Sequence, residues 1–548
     1  MFASLRRLGV VLLLGSLALV VGPSSAWAKG LTRDQARELR QSGAGLVLAR
    51  PGAGPALRRA GGEKLATTLP IWRVPSRSAL RVLPGLLRSN LVAEVTADQP
   101  LATFAVPAPP PEGTDWWIPA VGANGAVPPG PGKALTIIDT GVDLTHEEFS
   151  SRPFTTALNP QSTSDRFEEH GTAVASVAAA PMNGVGVVGV YPQAALYAWD
   201  ASPTGVGITA GDVVQGLDAA VRNGPGVVNL SLGSQIRNPL LDNMIAVAQA
   251  AGILVVAAAG NSRMEGSPLE YPASLPHVLT VGALDESSQP TFFTSGSPHV
   301  DLAAPGQNIA VAVPRTLHPP NNYDSFDGTS FSSPITAAAA AWVWTARPTL
   351  DVTQLFGVMR ASAQDLVSPG FDAFTGFGRL NIPAALTAVP PARDPQEPNE
   401  DVSYVKPGGL LHRAAKPLTA VGRKSGNVTA RLDFGDDPRD VYRLWVPGKR
   451  TAVVALQPSG GDVDLALWGP RTASVLESGR ALRRDTRGIS ERSGTKRERL
   501  HVRNTGRKGA YFYVEAYMGA GSGNVARPVA GIGYQLAVSI VKTKSARR

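Results

Sequence analysis

From residue 134 onward the chain alternates short apolar runs with longer amphipathic ones. Ala134–Ile138 (ALTII), Gly226–Leu230 (GVVNL), Ile253–Ala257 (ILVVA) and Val278–Val281 (VLTV) are apolar at nearly every position, so strands formed there are covered on both faces. Gly211–Arg222 and Leu240–Ala251, which separate them, carry helical spacing. This pattern predicts an α/β unit, a parallel sheet flanked by helices, whose polar side chains meet at the carboxyl ends of the strands. After residue 440 the period changes to two. Asp440–Val446 (DVYRLWV), Ala452–Leu456, Val463–Trp468, Tyr511–Ala516 and Tyr534–Ile540 predict a β-sandwich. Before residue 110 the signals are a strand at Gly45–Ala49, a helix at Ser78–Leu87 and a strand at Leu91–Thr96.

Proline-rich stretches separate these regions. Val106–Gly113 (VPAPPPEG) and Val389–Pro398 (VPPARDPQEP) suit extended connectors, because proline removes a backbone donor and fixes φ. Residues 1–28 have Arg6 and Arg7, an uncharged apolar stretch Leu8–Val21, then Ala26-Trp27-Ala28, which fits a cleaved export signal. That apolar stretch is shorter than the roughly 20 residues a bilayer requires. The expected organisation is a signal peptide over 1–28, a first unit over 29–110, a central unit over 113–389, a linker over 390–398 and a last unit over 399–548, with the mature protein secreted or held at the cell surface.

The 548 residues include no cysteine, which excludes disulfides, thiol nucleophiles and Cys-ligated metals. Net charge is +9, but it is uneven: +8 for 1–112, −12 for 113–390 and +13 for 391–548. No recognition helix or stacking motif accompanies the basic regions, so nucleic acid is not an expected partner. Residues 471–508, with 12 basic and 4 acidic side chains, read as a solvated loop. The basic last unit suits either an anionic cell-surface polymer or docking on the acidic central unit.

Asp139 directly follows the first apolar run, and Asn261 follows the third after Ala258-Ala259-Gly260. His170 opens the Ala-rich HGTAVASVAAA, and Ser330 lies in DGTSFSSPITAAAAAWVW, where Pro334 suits a first helical turn. Singly, each has a structural reading: turn former, core imidazole, N-cap serine. Together, DTGVD, HGTAVAS, AAAGN and DGTSFSSP in that order resemble the signature segments of the subtilisin-like serine proteases, and NGVGVVGV, VVNLSLG, YPAS and GFGRLN agree.

The resemblance implies a serine endopeptidase that needs no cofactor for catalysis. Ser330 matches the nucleophile, His170 the general base, Asp139 the carboxylate that orients it, and Asn261 the oxyanion donor. Ser231-Leu232-Gly233 matches the segment that pairs with an extended substrate, and Ala257–Gly260, including Ala258 and Gly260, matches the wall of the pocket for the side chain before the scissile bond. Glu270 either reaches that pocket and favours basic side chains or is a solvated loop residue. Glu148 with Asn183, Val185 and Val187 matches an oxygen cage for a structural calcium. The first unit matches a small α+β inhibitory propeptide, with self-cleavage expected at Phe104–Ala105. The last unit resembles the pre-peptidase C-terminal domain of secreted proteases, its Asp462 and Asp464 matching an acidic pair common there. Ala173, Ser176 and Phe331-Ser332-Ser333 depart from the usual pattern. A narrow processing protease and a non-catalytic surface binding protein remain the alternative readings.

Overall fold

The computed structural model of the protein describes residues 30–542 apart from 105, 108–114, 163–168, 204, 206, 318–321, 412–414, 477 and 520–530. The expected signal peptide and most of the first proline-rich connector lie outside the described residues. Among the described residues no helix is long and apolar enough to cross a membrane.

The centre is a seven-stranded parallel sheet in the order Val300–Pro305, Val278–Leu284, Ile253–Ala258, Gly226–Leu230, Ala134–Asp139, Ala195–Asp200, Thr155–Ala157. Successive residues of one strand serve two cores. Leu254 and Val256 pack with the helices Glu169–Ala179 and Thr329–Ala346, whereas Ile253, Val255 and Ala257 pack with Ala210–Asn223 and Pro239–Ala250. That two-sided burial explains why these strands lack polar alternation.

Ahead of this layer, an antiparallel sheet in the order Glu63–Lys64, Ile71–Pro75, Ala44–Ala49, Val92–Ala97 is covered on one face by Arg33–Gln41 and Ser76–Arg88. Its other face, through Leu46 and Ile71, packs on Ala210–Asn223 and Pro239–Ala250. The polar contacts here differ from a simple attraction between net charges. The ion pairs joining the two surfaces reduce, among the described residues, to Arg73–Asp212 at 2.8 Å. Asp98 instead accepts from the Gly211 N–H at 2.9 Å, and Asp218 accepts from the Thr67 and Thr68 N–H groups at 3.0 and 2.9 Å. The placement of Asp98 at a helix N-terminus satisfies a donor that the helix leaves free.

At the C-terminal side, two four-stranded antiparallel sheets form a β-sandwich. Their orders are Ser425–Leu432, Ile532–Lys542, Arg450–Ser459, Glu498–Arg503 and Arg439–Val446, Ala510–Met518, Val463–Trp468, Thr486–Ser490. The basic stretch 471–508 is therefore not a loop. It supplies one edge strand to each sheet and the helix Gly479–Asp485. Exposed Arg499 and Arg503 lie on one edge, a placement that hinders pairing with another chain. Asp462 and Asp464 are both buried, and burial beside Asp462 pushes Asp464 up to about 7.

Candidate active site

The carboxyl ends of Ala134–Asp139, Gly226–Leu230 and Ile253–Ala258 and the starts of the helices Glu169–Ala179 and Thr329–Ala346 supply the site around Ser330. The helix begins at Thr329 and runs through Pro334, rather than starting there. Proline has no N–H for the carbonyl four residues earlier, so the Ser330 carbonyl loses its helical partner. The Ser231 hydroxyl replaces it, donating to Ser330 O at 2.7 Å. Behind it, Asn229 Nδ2 donates to Ser231 Oγ at 2.9 Å and Ser333 Oγ donates to Asn229 Oδ1 at 2.7 Å. Ser333, one of the departures from the usual pattern, thus ends a buried polar chain beneath the helix start. Ser176, another, donates to Ala173 O at 2.7 Å and accepts from Ala312 N–H at 3.0 Å.

His170 Nδ1 lies 2.7 Å from Asp139 Oδ1, which also accepts from the Thr140 N–H at 2.8 Å. His170 Nε2 is buried without a hydrogen-bond partner. Ser330 Oγ does not fill that position. It donates to Ser231 O at 3.2 Å and accepts from the Phe104 N–H at 2.9 Å. The Asp–His pair and the serine are therefore brought to one site without a hydrogen bond linking them.

Phe104 belongs to the segment before the catalytic layer. Pro100–Thr103 pairs antiparallel with Leu232–Gly233 on one side and Ile208–Thr209 on the other, as an added strand. The Phe104 carbonyl accepts from Asn261 Nδ2 at 2.7 Å and lies 3.4 Å from Ser330 N. Asn261 is held by its own oxygen, which accepts from Thr329 N–H at 3.1 Å and Thr329 Oγ1 at 2.9 Å. The Phe104 ring stands so close to Gly233 that a Cβ there would fall 2.9 Å from it. Just beyond, Val106–Pro107 pairs with Phe326–Asp327, the strand leading into Ser330.

Subtilisin DY of Bacillus licheniformis is 35% identical over 251 residues, which is 45% of this chain and 89% of that protein.

The chain belongs to the subtilase family.

The family's sequence profile matches residues 130–378, and a subtilisin of Bacillus pumilus is 34% identical over 256 residues, 46% of this chain and 90% of that one. Among solved structures, fervidolysin of Fervidobacterium pennivorans, titled a keratinolytic enzyme related to subtilisin, superposes with a TM-score of 0.57 at 17% identity over 84% of each chain, a likeness of fold. This subtilase is a serine endopeptidase.

Ala258 and Gly260 lie at the end of the strand Ile253–Ala258, with Gly260 in left-handed backbone at φ +99°. A Cβ at Gly260 would meet Glu270 Cγ at 2.7 Å, and Glu270 is only 4% exposed. The solvated-loop reading of Glu270 is therefore corrected: it is buried against Gly260, and burial raises its pKa. Glu148 does sit with Asn183 and Val187, but as a hydrogen-bond acceptor. Val187 N–H and Tyr323 O–H reach its Oε1 at 2.9 and 3.1 Å, and Asn183 Nδ2 faces its Oε2 at 3.3 Å. Val185 presents its N–H to Asn183 Oδ1 at 3.0 Å. The Glu148 oxygens thus face donors in this arrangement, whereas a calcium at Glu148, Asn183, Val185 and Val187 requires carboxylate, amide and carbonyl oxygens turned toward one ion.

The Ser231–Asn229–Ser333 chain and the Thr329 support of Asn261 were not read from the sequence. Pro334, four residues after Ser330, is the signal that announces a carbonyl in need of a partner.

Proposed function

We propose that this subtilase is an exported zymogen whose Asp139, His170 and Ser330 form the catalytic relay, with Asn261 and the Ser330 N–H as oxyanion donors. The observation that carries the reading is the Phe104 carbonyl, held at 2.7 Å by Asn261 Nδ2 beside Ser330. A donor aimed at a carbonyl next to a serine stabilises the negative charge that grows on that oxygen during attack. Rotation of the Ser330 side chain, from its contacts with Phe104 N–H and Ser231 O to the unpartnered His170 Nε2, gives the base its proton. Asp139 fixes the Nδ1–H tautomer and stabilises the imidazolium. Attack on Phe104 C forms the acyl-enzyme, His170 returns the proton to the leaving amine at position 105, and water releases the acid.

Residues 29–104 act in this reading as the propeptide, and Phe104–Ala105 is the maturation bond. The strand pairing of Pro100–Thr103 with Leu232–Gly233 supports substrate-like binding. Polypeptides with a large apolar or aromatic residue before the scissile bond are the substrates this favours. The C-terminal sandwich corresponds in this reading to a pre-peptidase C-terminal domain, whose exposed Arg480, Arg483, Arg499 and Arg503 suit an anionic cell-surface polymer. The test is N-terminal sequencing of secreted material. Active protein should begin at Ala105 and be labelled by a fluorophosphonate on Ser330, whereas Ser330→Ala should stay uncut. An unlabelled wild type, or a Ser330→Ala form trimmed at the same bond in pure preparation, would sink the reading.

A further inference from the structure

Two phenylalanines connect the His170 imidazole to the strand that pairs with the chain beyond Phe104–Ala105. Phe331 directly follows Ser330 on the helix Thr329–Ala346 and is fully buried. Its ring centroid lies 6.2 Å from that of His170, with the planes tilted by 48°. It also stacks on Phe326, at 6.0 Å between centroids and 10° between planes. Phe326 is buried in the strand Tyr323–Asp327, which pairs with Ile309–Ala312 along one edge. Along the other edge Phe326 stands opposite Pro107, and Asp327 stands opposite Val106. The rings of Phe326, Phe331 and His170 thus form a continuous series from the segment after the scissile bond to the general base.

This series constrains what Asp139 leaves free. The hydrogen bond between Nδ1 and Asp139 Oδ1 anchors one end of the imidazole. Nε2, at the other end, is buried with no hydrogen-bond partner, so packing has to orient it. That nitrogen has two tasks at two places: it takes the proton of Ser330 Oγ, then delivers it to the departing amine. Aromatic rings at this spacing attract one another in defined tilts, and a fully buried ring in a close-packed interior cannot readily change its own. Phe326 and Phe331 share their core with Ile309, Val311 and Ile335, so an aliphatic side chain would suit the volume. What it would lack is the planar surface that sets the tilt of the imidazole. The amine departs on the chain that pairs with Phe326 and Asp327, so the strand that places the leaving group and the ring that places the acid are joined by one stack.

We infer that Phe331, backed by Phe326, is a positioning residue that holds His170 where Nε2 can return its proton to the leaving amine, and that it couples this placement to the strand occupied beyond the scissile bond. In the step it serves, the Ser330 Oγ–carbon bond forms, the carbon–nitrogen bond breaks, and the proton lost by Oγ passes through Nε2 to the departing nitrogen. The rings themselves exchange no proton. Phe331 is one of the departures from the usual pattern, so its contact with His170 is particular to this chain. The inference rests on the relay of Asp139, His170 and Ser330 proposed above.

The test gives the processed enzyme two substrates with the same acyl part. One is a peptide amide that continues through Val-Pro at the second and third positions after the scissile bond. The other is the p-nitrophenyl ester, whose phenolate departs without being protonated, so its cleavage needs the base but not the acid. Competent sites are counted with a fluorophosphonate. Phe331→Leu and Phe326→Leu should each lower the amide-to-ester ratio of kcat/KM about fivefold or more, with the amide loss falling in kcat rather than KM. The double variant should lose no more than Phe331→Leu alone, because the two rings act as a unit. In wild type, removing the Val-Pro extension should lower kcat for the amide about threefold or more, and in Phe331→Leu the same removal should change it less than about twofold. If Phe331→Leu does not fold, the same ratio in Phe326→Leu decides. A ratio that stays at the wild-type value, whether both rates fall together or neither falls, would overturn the inference while Ser330 labelling leaves the relay standing. A wild type that takes no label would instead overturn the relay.

Discussion

Glu94 gives the surface between the first unit and the protease a pH dependence of definite sign. Its carboxylate lies against the N-terminal part of the helix Pro239–Ala250, where Asn243 Nδ2 donates to it at 3.3 Å. Burial first, and the charge of Asp242 second, raise its pKa from 4.5 to about 7. Once segment 30–104 leaves the protease, Glu94 returns to water and to its ordinary value. Binding therefore takes up a proton wherever free Glu94 is ionised and bound Glu94 is not. The stabilisation is fully present below the free pKa and is lost as pH rises through the bound one. With 4.5 free and about 7 bound, affinity should fall roughly 70-fold between about pH 5 and pH 8, or about 2.5 kcal/mol. The assay is inhibition of the processed enzyme by separately made segment 30–104 across that range, with Glu94→Gln alongside. The variant should lose most of the slope and bind more tightly than wild type at the alkaline end. A flat wild-type profile, or an equal slope in Glu94→Gln, would refute the reasoning.

Other consequences concern the serine and its pocket. Ser231→Ala leaves the Ser330 carbonyl unsatisfied and should cost about 1–3 kcal/mol of stability; in a Pro334→Ala background, which restores an N–H to that carbonyl, thermal melts should show a smaller loss. Gly233→Ala places a methyl 2.9 Å from the Phe104 ring, so kcat/KM for peptides with phenylalanine before the scissile bond should drop about tenfold or more, while alanine at that position is spared. Glu148→Gln weakens acceptance from Val187 N–H and Tyr323 O–H and should lower stability by about 1 kcal/mol. The size of that loss should be the same in calcium and in chelator, and a loss seen only with calcium would restore the cation reading of this loop.

The central strands were legible because burial on both faces leaves an uninterrupted apolar run, a property of the local sequence. The segments carrying Asp139, His170, Asn261 and Ser330 were legible only as a set, because their order along the chain resembles that of the subtilisin-like proteases. Thr486–Ser490 and Glu498–Arg503 were hidden, since edge strands carry charge on their outer positions and imitate a loop. Pro334 fixed that one carbonyl would lack a helical donor, but only the packing of two segments chose Ser231 to serve it. Glu270 and Glu148 show the same division: the chain supplies a carboxylate, and the fold decides whether it meets a buried backbone turn, a ring of donors or solvent. Contacts that span long stretches, such as Phe104 with Ser330 and His277 with Glu400, leave no periodic trace. They arise when separately folded surfaces dock, so their chemistry is set by tertiary structure alone.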